Sequence, residues 1–215
     1  AAALVPNTKV LEQKNLPMPK GWNDLLNPVY KDMLIMPNPA SSGTGFLQVA
    51  SLLVMLDPDY KTKPVEENKA WDFLKELDKN MGQYIKSGSK PAKLTAAGEY
   101  AVGCSFAFVY SSLKKKGFPV ALVMPEEGAG FELEANALLK GAKHEAAAKK
   151  FLDWALSEGA MKEYAKFKLG VAYPGIPGPE GLPALDTIKL APMDFPWQSE
   201  NRSKILEVWQ GHFLK

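Results

Sequence analysis

Short apolar runs alternate with segments of helical periodicity along the first 130 residues. The pattern predicts strands at 33–36, 83–86, 100–106 and 120–124, and helices at 46–56, 70–79, 91–97 and 109–116. Runs of four to eight apolar residues favour buried strands, whereas apolar residues three and four positions apart favour helices. Strands that alternate with helices predict an α/β fold, in which helices cross between neighbouring strands of one sheet.

The pattern changes after residue 130. Residues 131–139 alternate like a strand, and 145–157 and 160–168 have helical spacing. Residues 173–183 contain four prolines and three glycines, which predicts an irregular connection. A closing amphipathic helix is expected from residue 199 or 200 to residue 213, because its apolar residues share one helical face.

Composition excludes several classes of protein. The chain has 215 residues, 46% of them hydrophobic, and a net charge of +2. Its longest basic run is residues 114–116, and a nucleic-acid-binding protein usually has a denser positive patch. No segment approaches the roughly 18 consecutive apolar residues of a membrane span. The single cysteine, Cys104, excludes an intrachain disulfide and leaves the cellular compartment open.

Two serine- and glycine-containing turns precede predicted helices. One is Ser41-Ser42-Gly43-Thr44 and the other is Ser87-Gly88-Ser89. Hydroxyls and free N–H groups at a helix N-terminus bind anions well, since the helix dipole is positive there. Serine is also a common N-cap. From the residues alone, the first turn is interpreted as an ordinary cap, and the second fits either role.

Nothing in the sequence forms a catalytic or metal-binding motif. Cys104 together with Glu126 or Glu127 could be drawn as a nucleophile and a base, but no nucleophile motif surrounds Cys104. His144 and His212 are too far from other potential ligands to suggest a metal site. We therefore expect no catalysis, no metal and no cofactor.

Several segments, in their order and spacing, resemble the family of ABC-importer solute-binding proteins that includes ferric-ion, sugar-phosphate and aminoethylphosphonate binders. These segments are residues 16–26, 36–45, 86–92, 98–103, 125–130, 147–154 and 197–206. The resemblance covers nearly the whole chain. It implies the type 2 periplasmic-binding fold, in which two α/β lobes close over a ligand.

The resemblance also implies a domain division. Residues 8–130 and 184–215 are expected to form the second lobe, and residues 1–7 and 131–183 the crossover and the remnant of the first lobe. A preceding segment on the order of 100 residues, the size of one small domain, is expected to complete the first lobe.

The function implied is capture of a small anionic ligand and its delivery to the membrane permease of an ABC importer. The ligand is expected to be a phosphosugar, phosphonate, phosphate or carboxylate. The expected location is periplasmic or otherwise extracytoplasmic, and a lipoprotein is compatible with it. The residues that the resemblance places in the ligand cleft are Ser41, Ser42, Gly43, Thr44, Ser87, Gly88, Ser89, Ser105, Phe106 and Glu127.

Iron is the alternative ligand within the same family. Ferric-binding relatives have adjacent tyrosines where this chain has Ala107 and Phe108, and neither side chain supplies the oxygen ligand that iron prefers. Two alternatives of a different class also remain, namely the effector-binding domain of a regulator and a transferase of similar fold.

Overall fold

The structure, a computed structural model, describes residues 1–168 and 170–213. The chain divides into two compact units. One unit comprises Ala1–Phe131 and Lys189–Lys215, and the other comprises Glu132–Ile188. The division expected from the sequence has similar boundaries but assigns residues 1–7 differently. The expected division remains a prediction. Residues 1–7 contain a strand of the larger unit, Ala2–Pro6, and the same segment was expected to be the crossover to the other lobe.

The larger unit contains a mixed four-stranded sheet with the order β1-β4-β2-β3. The strands are β1 (Ala2–Pro6), β2 (Leu34–Pro37), β3 (Met81–Ile85) and β4 (Val102–Phe106). Strand β2 is parallel to β3 and to β4, and β1 is antiparallel to β4. The ends of β2, β3 and β4 therefore lie at the same edge of the sheet. This is the α/β arrangement that the alternating pattern predicts.

Helices cover both faces of this sheet. They are α1 (Thr8–Gln13), α2 (Gly43–Leu56), α3 (Ala70–Asp78), α4 (Lys90–Ala96), α5 (Ala107–Lys115), α8 (Phe195–Glu200) and α9 (Arg202–Phe213). Short 3-10 helices occur at Asn23–Leu26, Pro28–Tyr30 and Val65–Glu67. Leu4 belongs to the main apolar cluster, whereas Val5 belongs to a second cluster with Val109 and Ala92. Neighbouring residues of a strand point to opposite faces, which explains the two clusters.

The smaller unit is helical where it is regular. It contains α6 (Glu145–Ala155), α7 (Glu158–Ala165) and a 3-10 helix at Leu185–Thr187. Ala155, Ala160 and Met161 are buried in it. Among the described residues of the whole chain, no helix is both long and apolar enough to cross a bilayer.

Two predicted strands are wrong. Residues 131–139 have no regular structure, because the described part of the smaller unit contains no strand with which they could pair. Residues 120–124 form isolated antiparallel bridges between Leu4 and Val123 and between Asn7 and Val120. Pro6 lies between these bridges and has no N–H to donate, so the ladder is not continuous.

The closing helix also differs from the prediction, since it is two helices. Helix α8 begins after Asp194, whose carboxylate accepts from the Trp197 N–H at 3.1 Å, and Pro196 lies in its first turn. Asn201 separates α8 from α9. Aspartate at the N-cap followed by proline is a recognisable helix start. The sequence signal was present in residues 194–196 and was missed.

Candidate functional site

The first serine turn connects the end of β2 to the start of α2. Ser42 is the N-cap, in an extended conformation, and its Oγ accepts from the Gly45 N–H at a long 3.5 Å. The N–H groups of Gly43 and Thr44 have no acceptor among the described residues. Thr44 is only 7% exposed, and its hydroxyl has no hydrogen-bond partner in the described part of the chain. This turn therefore holds several donors without an acceptor among the described residues, on the buried residues Ser42 and Thr44 and on the exposed residue Gly43.

The second serine turn connects β3 to α4. The Ser87 Oγ accepts from the Lys90 N–H at 3.2 Å, so Ser87 caps the start of α4. Ser89 is half-buried, and its side chain makes no cap hydrogen bond. Ser87 therefore has the ordinary capping role that its sequence allowed.

The two turns meet at Gly88. A Cβ built on Gly88 would lie 2.9 Å from Thr44 Cβ and 3.5 Å from Ser42 Oγ, and it would overlap Thr44 Oγ1. Only a glycine permits this close approach. Of the predicted site residues, the structure thus brings Ser42, Thr44 and Gly88 together. Ser41 is exposed, and no contact with Gly88 is described for it.

Ser105 connects β4 to the same place. Its hydroxyl is buried and donates to the Gly88 carbonyl at 2.8 Å. A ligand contact from this hydroxyl stays a prediction, because the hydroxyl already has an acceptor. Its visible role is to hold the second turn against the sheet.

Gln48 was missed in the sequence. It lies on α2 four residues after Thr44 and is fully buried. Its Nε2 donates to the Ser105 carbonyl at 3.4 Å, and its Oε1 has no donor among the described residues. The available signal was a glutamine within an otherwise apolar helix, one turn from a predicted site residue. Thr44, Gly88, Ser105 and Gln48 thus form one connected cluster.

Phe106 is the last residue of β4 and is half-buried. Its ring stacks on that of Phe108, with centroids 5.5 Å apart and planes 21° apart. Phe108 is 40% exposed. Two parallel phenyl rings therefore stand next to Ser105, at the same edge of the sheet as the serine turns.

Glu127 has a visible structural role. Its carboxylate accepts from the Trp22 N–H at 3.0 Å and from the Asn23 N–H at 2.8 Å. These contacts cap the 3-10 helix Asn23–Leu26. No hydrogen bond of the described residues joins Glu127 to the serine turns. The predicted ligand contact of Glu127 remains untested.

The chemistry of Cys104 does not suit a nucleophile. The residue is fully buried, and this burial raises the pKa of its thiol to about 12. A thiol rather than a thiolate is therefore present at neutral pH. Among the described residues, no group of three or more His, Cys, Asp and Glu side chains could hold a metal ion.

Comparison with known proteins gives a consistent picture. The profile of the family described as bacterial extracellular solute-binding protein matches residues 1–195. An uncharacterized protein of Haemophilus influenzae is 34% identical over 197 residues, which is 89% of this chain and 54% of that protein. The spermidine/putrescine-binding periplasmic protein of Salmonella typhimurium is 26% identical over 166 residues, which is 77% of this chain and 45% of that protein. The chain spans about half the length of the curated relatives it matches.

A solved structure is similar in both fold and sequence. It is the periplasmic binding protein AfuA from Actinobacillus pleuropneumoniae with exogenous fructose-6-phosphate bound. Its TM-score is 0.83 at 32% sequence identity, over 99% of this chain and 66% of that chain. The fold is therefore that of the type 2 periplasmic binding proteins, as the resemblance implied.

Proposed function

Because this chain belongs to the family of bacterial extracellular solute-binding proteins, we propose that it captures a small phosphate-bearing anion for an ABC importer. In this proposal the ligand is held between two lobes and passed to a membrane permease. The protein acts outside the cytoplasm, with or without a lipid anchor, and it catalyses no reaction.

The observation that carries the proposal is the meeting of Gly88 with Thr44. The hydroxyls of Ser42 and Thr44 and the free N–H groups of Gly43 and Thr44 lie in the first turn. The second turn packs against them at Gly88. Donors that lack an acceptor favour an oxyanion, which accepts several hydrogen bonds at once. The N-terminus of the 14-residue helix α2 adds a positive dipole end.

The residues of the turns and of the end of β4 disfavour two other ligands, a polyamine and ferric iron. A polyamine is a cation and requires carboxylates, whereas the turns at 41–44 and 87–89 contain none. Ferric iron prefers oxygen ligands of phenolate or carboxylate type, and Ala107 and Phe108 offer neither. Fructose-6-phosphate, which is bound in the similar AfuA structure, carries the kind of group that the unused donors suit.

Calorimetry on the full-length gene product tests the proposal. The titrants are fructose-6-phosphate, aminoethylphosphonate, inorganic phosphate, citrate and putrescine. We expect a phosphate- or phosphonate-bearing titrant to bind best, and Thr44→Ala to weaken its binding by about 1.5–3 kcal/mol, as for a hydrogen bond to a charged group. Ser42→Ala/Thr44→Ala should weaken it further.

Thr62→Ala is the matched control, because the Thr62 hydroxyl donates to the Asp59 carbonyl in an exposed turn. Its affinity should equal that of the parent. If the Ser42→Ala/Thr44→Ala protein binds the best titrant as tightly as the parent does, the turns are only helix caps. A visible charge-transfer band on addition of ferric citrate would favour the iron-binding alternative instead.

A further inference from the structure

The single arginine of the chain lies beside the helix that follows the first serine turn, and the fold does not account for it. Arg202 is the one arginine among 26 lysines and arginines. It is the first residue of α9, and its guanidinium carbon lies 4.1 Å from the centroid of the Phe46 ring. Phe46 is only 8% exposed, whereas Arg202 is exposed. A buried ring therefore supports a cation that reaches solvent.

The position of Phe46 on α2 brings this cation to the start of that helix. The Phe46 N–H donates to the Ser42 carbonyl at 3.0 Å, so Phe46 stands one turn after the N-cap on the same face of the helix. Side chains of a helix tilt towards its N-terminus, so the Phe46 ring covers the turn that begins at Ser42. The guanidinium thus lies at the end of α2 where the free N–H groups of Gly43 and Thr44 are found. Nothing lies within 4 Å of a Cβ built on Gly43, so there is room here for a ligand.

The charges at this place are unbalanced. The N-terminus of a helix is its positive end, and a cation there is unfavourable. Arg202 occupies the first position of α9, and neither α2 nor α9 has an acidic residue in its first turn. Among the described residues, Arg202 forms no salt bridge. In the described part of the chain, two positive helix ends and one cation therefore lie together without a carboxylate paired to the cation.

The next cation of α9 is paired, which makes Arg202 distinct from it. Lys204 lies two residues after Arg202, and its Nζ is 3.6 Å from a Glu66 oxygen and 3.3 Å from a Glu207 oxygen. The protein thus neutralises the charge of Lys204 with its own carboxylates. The charge of Arg202 is left available to a ligand.

We propose that Arg202 binds the anion together with the first serine turn, and that the Phe46 ring holds its guanidinium in place. This inference rests on the proposed function, because it needs the anion at Gly43 and Thr44. The planar guanidinium presents a fork of N–H donors that matches two oxygens of a phosphate or phosphonate, which the ammonium of a lysine cannot do. Contact with the ring restricts the side chain before the ligand arrives, so less freedom is lost on binding. Arg202 is then the residue that selects an anion with several charged oxygens over a neutral solute.

Calorimetry of Arg202→Gln in the full-length gene product tests this inference. The probes are fructose-6-phosphate and inorganic phosphate. Glutamine keeps a polar side chain of good helix propensity and removes the charge. We expect the probe that binds the parent to bind Arg202→Gln roughly 10- to 150-fold more weakly, the range for a hydrogen bond to a charged group. Lys204→Gln is the matched control, since it makes the same change two residues away at a paired cation, and it should stay within about twofold of the parent.

Salt dependence separates a charge contact from a structural effect. The Debye length falls from about 30 Å at 0.01 M salt to about 8 Å at 0.15 M salt, so charges attract each other less. The affinity of the parent for the probe should fall over this range, and the affinity of Arg202→Gln should fall less steeply. Phe46→Leu should weaken binding in the parent but add little in the Arg202→Gln background, because the ring acts through the guanidinium.

The inference and the proposed function fail separately. If Arg202→Gln binds the probe as the parent does, or if Arg202→Gln and Lys204→Gln weaken it equally, Arg202 is not a ligand contact. A loss of affinity in Thr44→Ala would still support the anion site in that case. An unchanged salt dependence in Arg202→Gln would likewise overturn the charge contact. If neither probe binds the parent, both proposals fall.

Discussion

Gly88→Ala is the most direct test of the meeting between the two serine turns. The new methyl group would lie 2.9 Å from Thr44 Cβ and would overlap Thr44 Oγ1. The first turn of α2 has little room to yield, since the adjacent Gly45 already lies against the backbone of Asn38 and Pro39. The turn at Gly88 must therefore move away from Thr44.

Gly88→Ala should affect both stability and ligand affinity. Overpacking of this kind costs about 1–3 kcal/mol of folding free energy. For a chain of this size each kcal/mol lowers the melting temperature by about 2–4 °C. The movement would also lengthen the 2.8 Å hydrogen bond from Ser105 to the Gly88 carbonyl. Because the turn at Gly88 moves away from Thr44, the proposed anion site should lose a hydrogen bond to its ligand. Loss of one hydrogen bond to a charged ligand weakens binding by about 1.5–3 kcal/mol.

Thermal unfolding and calorimetry with fructose-6-phosphate measure the two effects. Gly43→Ala is the control for stability, because nothing lies within 4 Å of the added Cβ, and it should be neutral or stabilising by about 0.4–1 kcal/mol. Gly211→Ala, which also has open space at its Cβ, is the control for ligand affinity.

A double-mutant cycle then assigns the cost to the contact. In the Thr44→Ala background, Gly88→Ala should cost less by about 0.5–3 kcal/mol, the range for residues in contact. The reasoning would be refuted if Gly88→Ala leaves both melting temperature and affinity unchanged, or if its cost is the same in both backgrounds.

Two further predictions concern carboxylates of the larger unit. Glu127→Ala leaves the N–H groups of Trp22 and Asn23 without their acceptor and should destabilise the protein by about 1–2 kcal/mol. Chemical denaturation measures this loss of stability. A change in ligand affinity with no change in stability would instead favour the predicted ligand contact. Hydrogen bonds from Lys61, Tyr60 and the Trp197 N–H lower the pKa of Asp194 from 3.8 to about 2, so its contribution to stability is present above pH 3.8 and is lost as the pH falls through the folded value. The difference in unfolding free energy between the parent and Asp194→Asn should accordingly shrink from pH 5 to pH 2, and a difference that stays constant with pH would contradict this reasoning.

The helices show what local sequence patterns determine. The spacing of apolar residues predicted helices at 46–56 and 70–79, and the structure has Gly43–Leu56 and Ala70–Asp78. The capping role of Ser42 was also visible, because a cap and its helix are neighbours in sequence. Such features depend on residues only a few positions apart, so the sequence alone specifies them.

Strands and contacts between distant residues were decided only by the tertiary structure. Residues 131–139 alternate like a strand but have no partner to pair with, and an alternating pattern carries no information about its partner. Glu127 binds N–H groups more than 100 residues away along the chain. Likewise, the order of the strands brings Gly88 against Thr44 and Ser105. The sequence by itself supplied the α/β elements and two candidate turns, whereas the packing of the sheet determined which groups of those turns meet. Long-range contacts follow from how whole elements pack, and the local pattern of one element does not specify them.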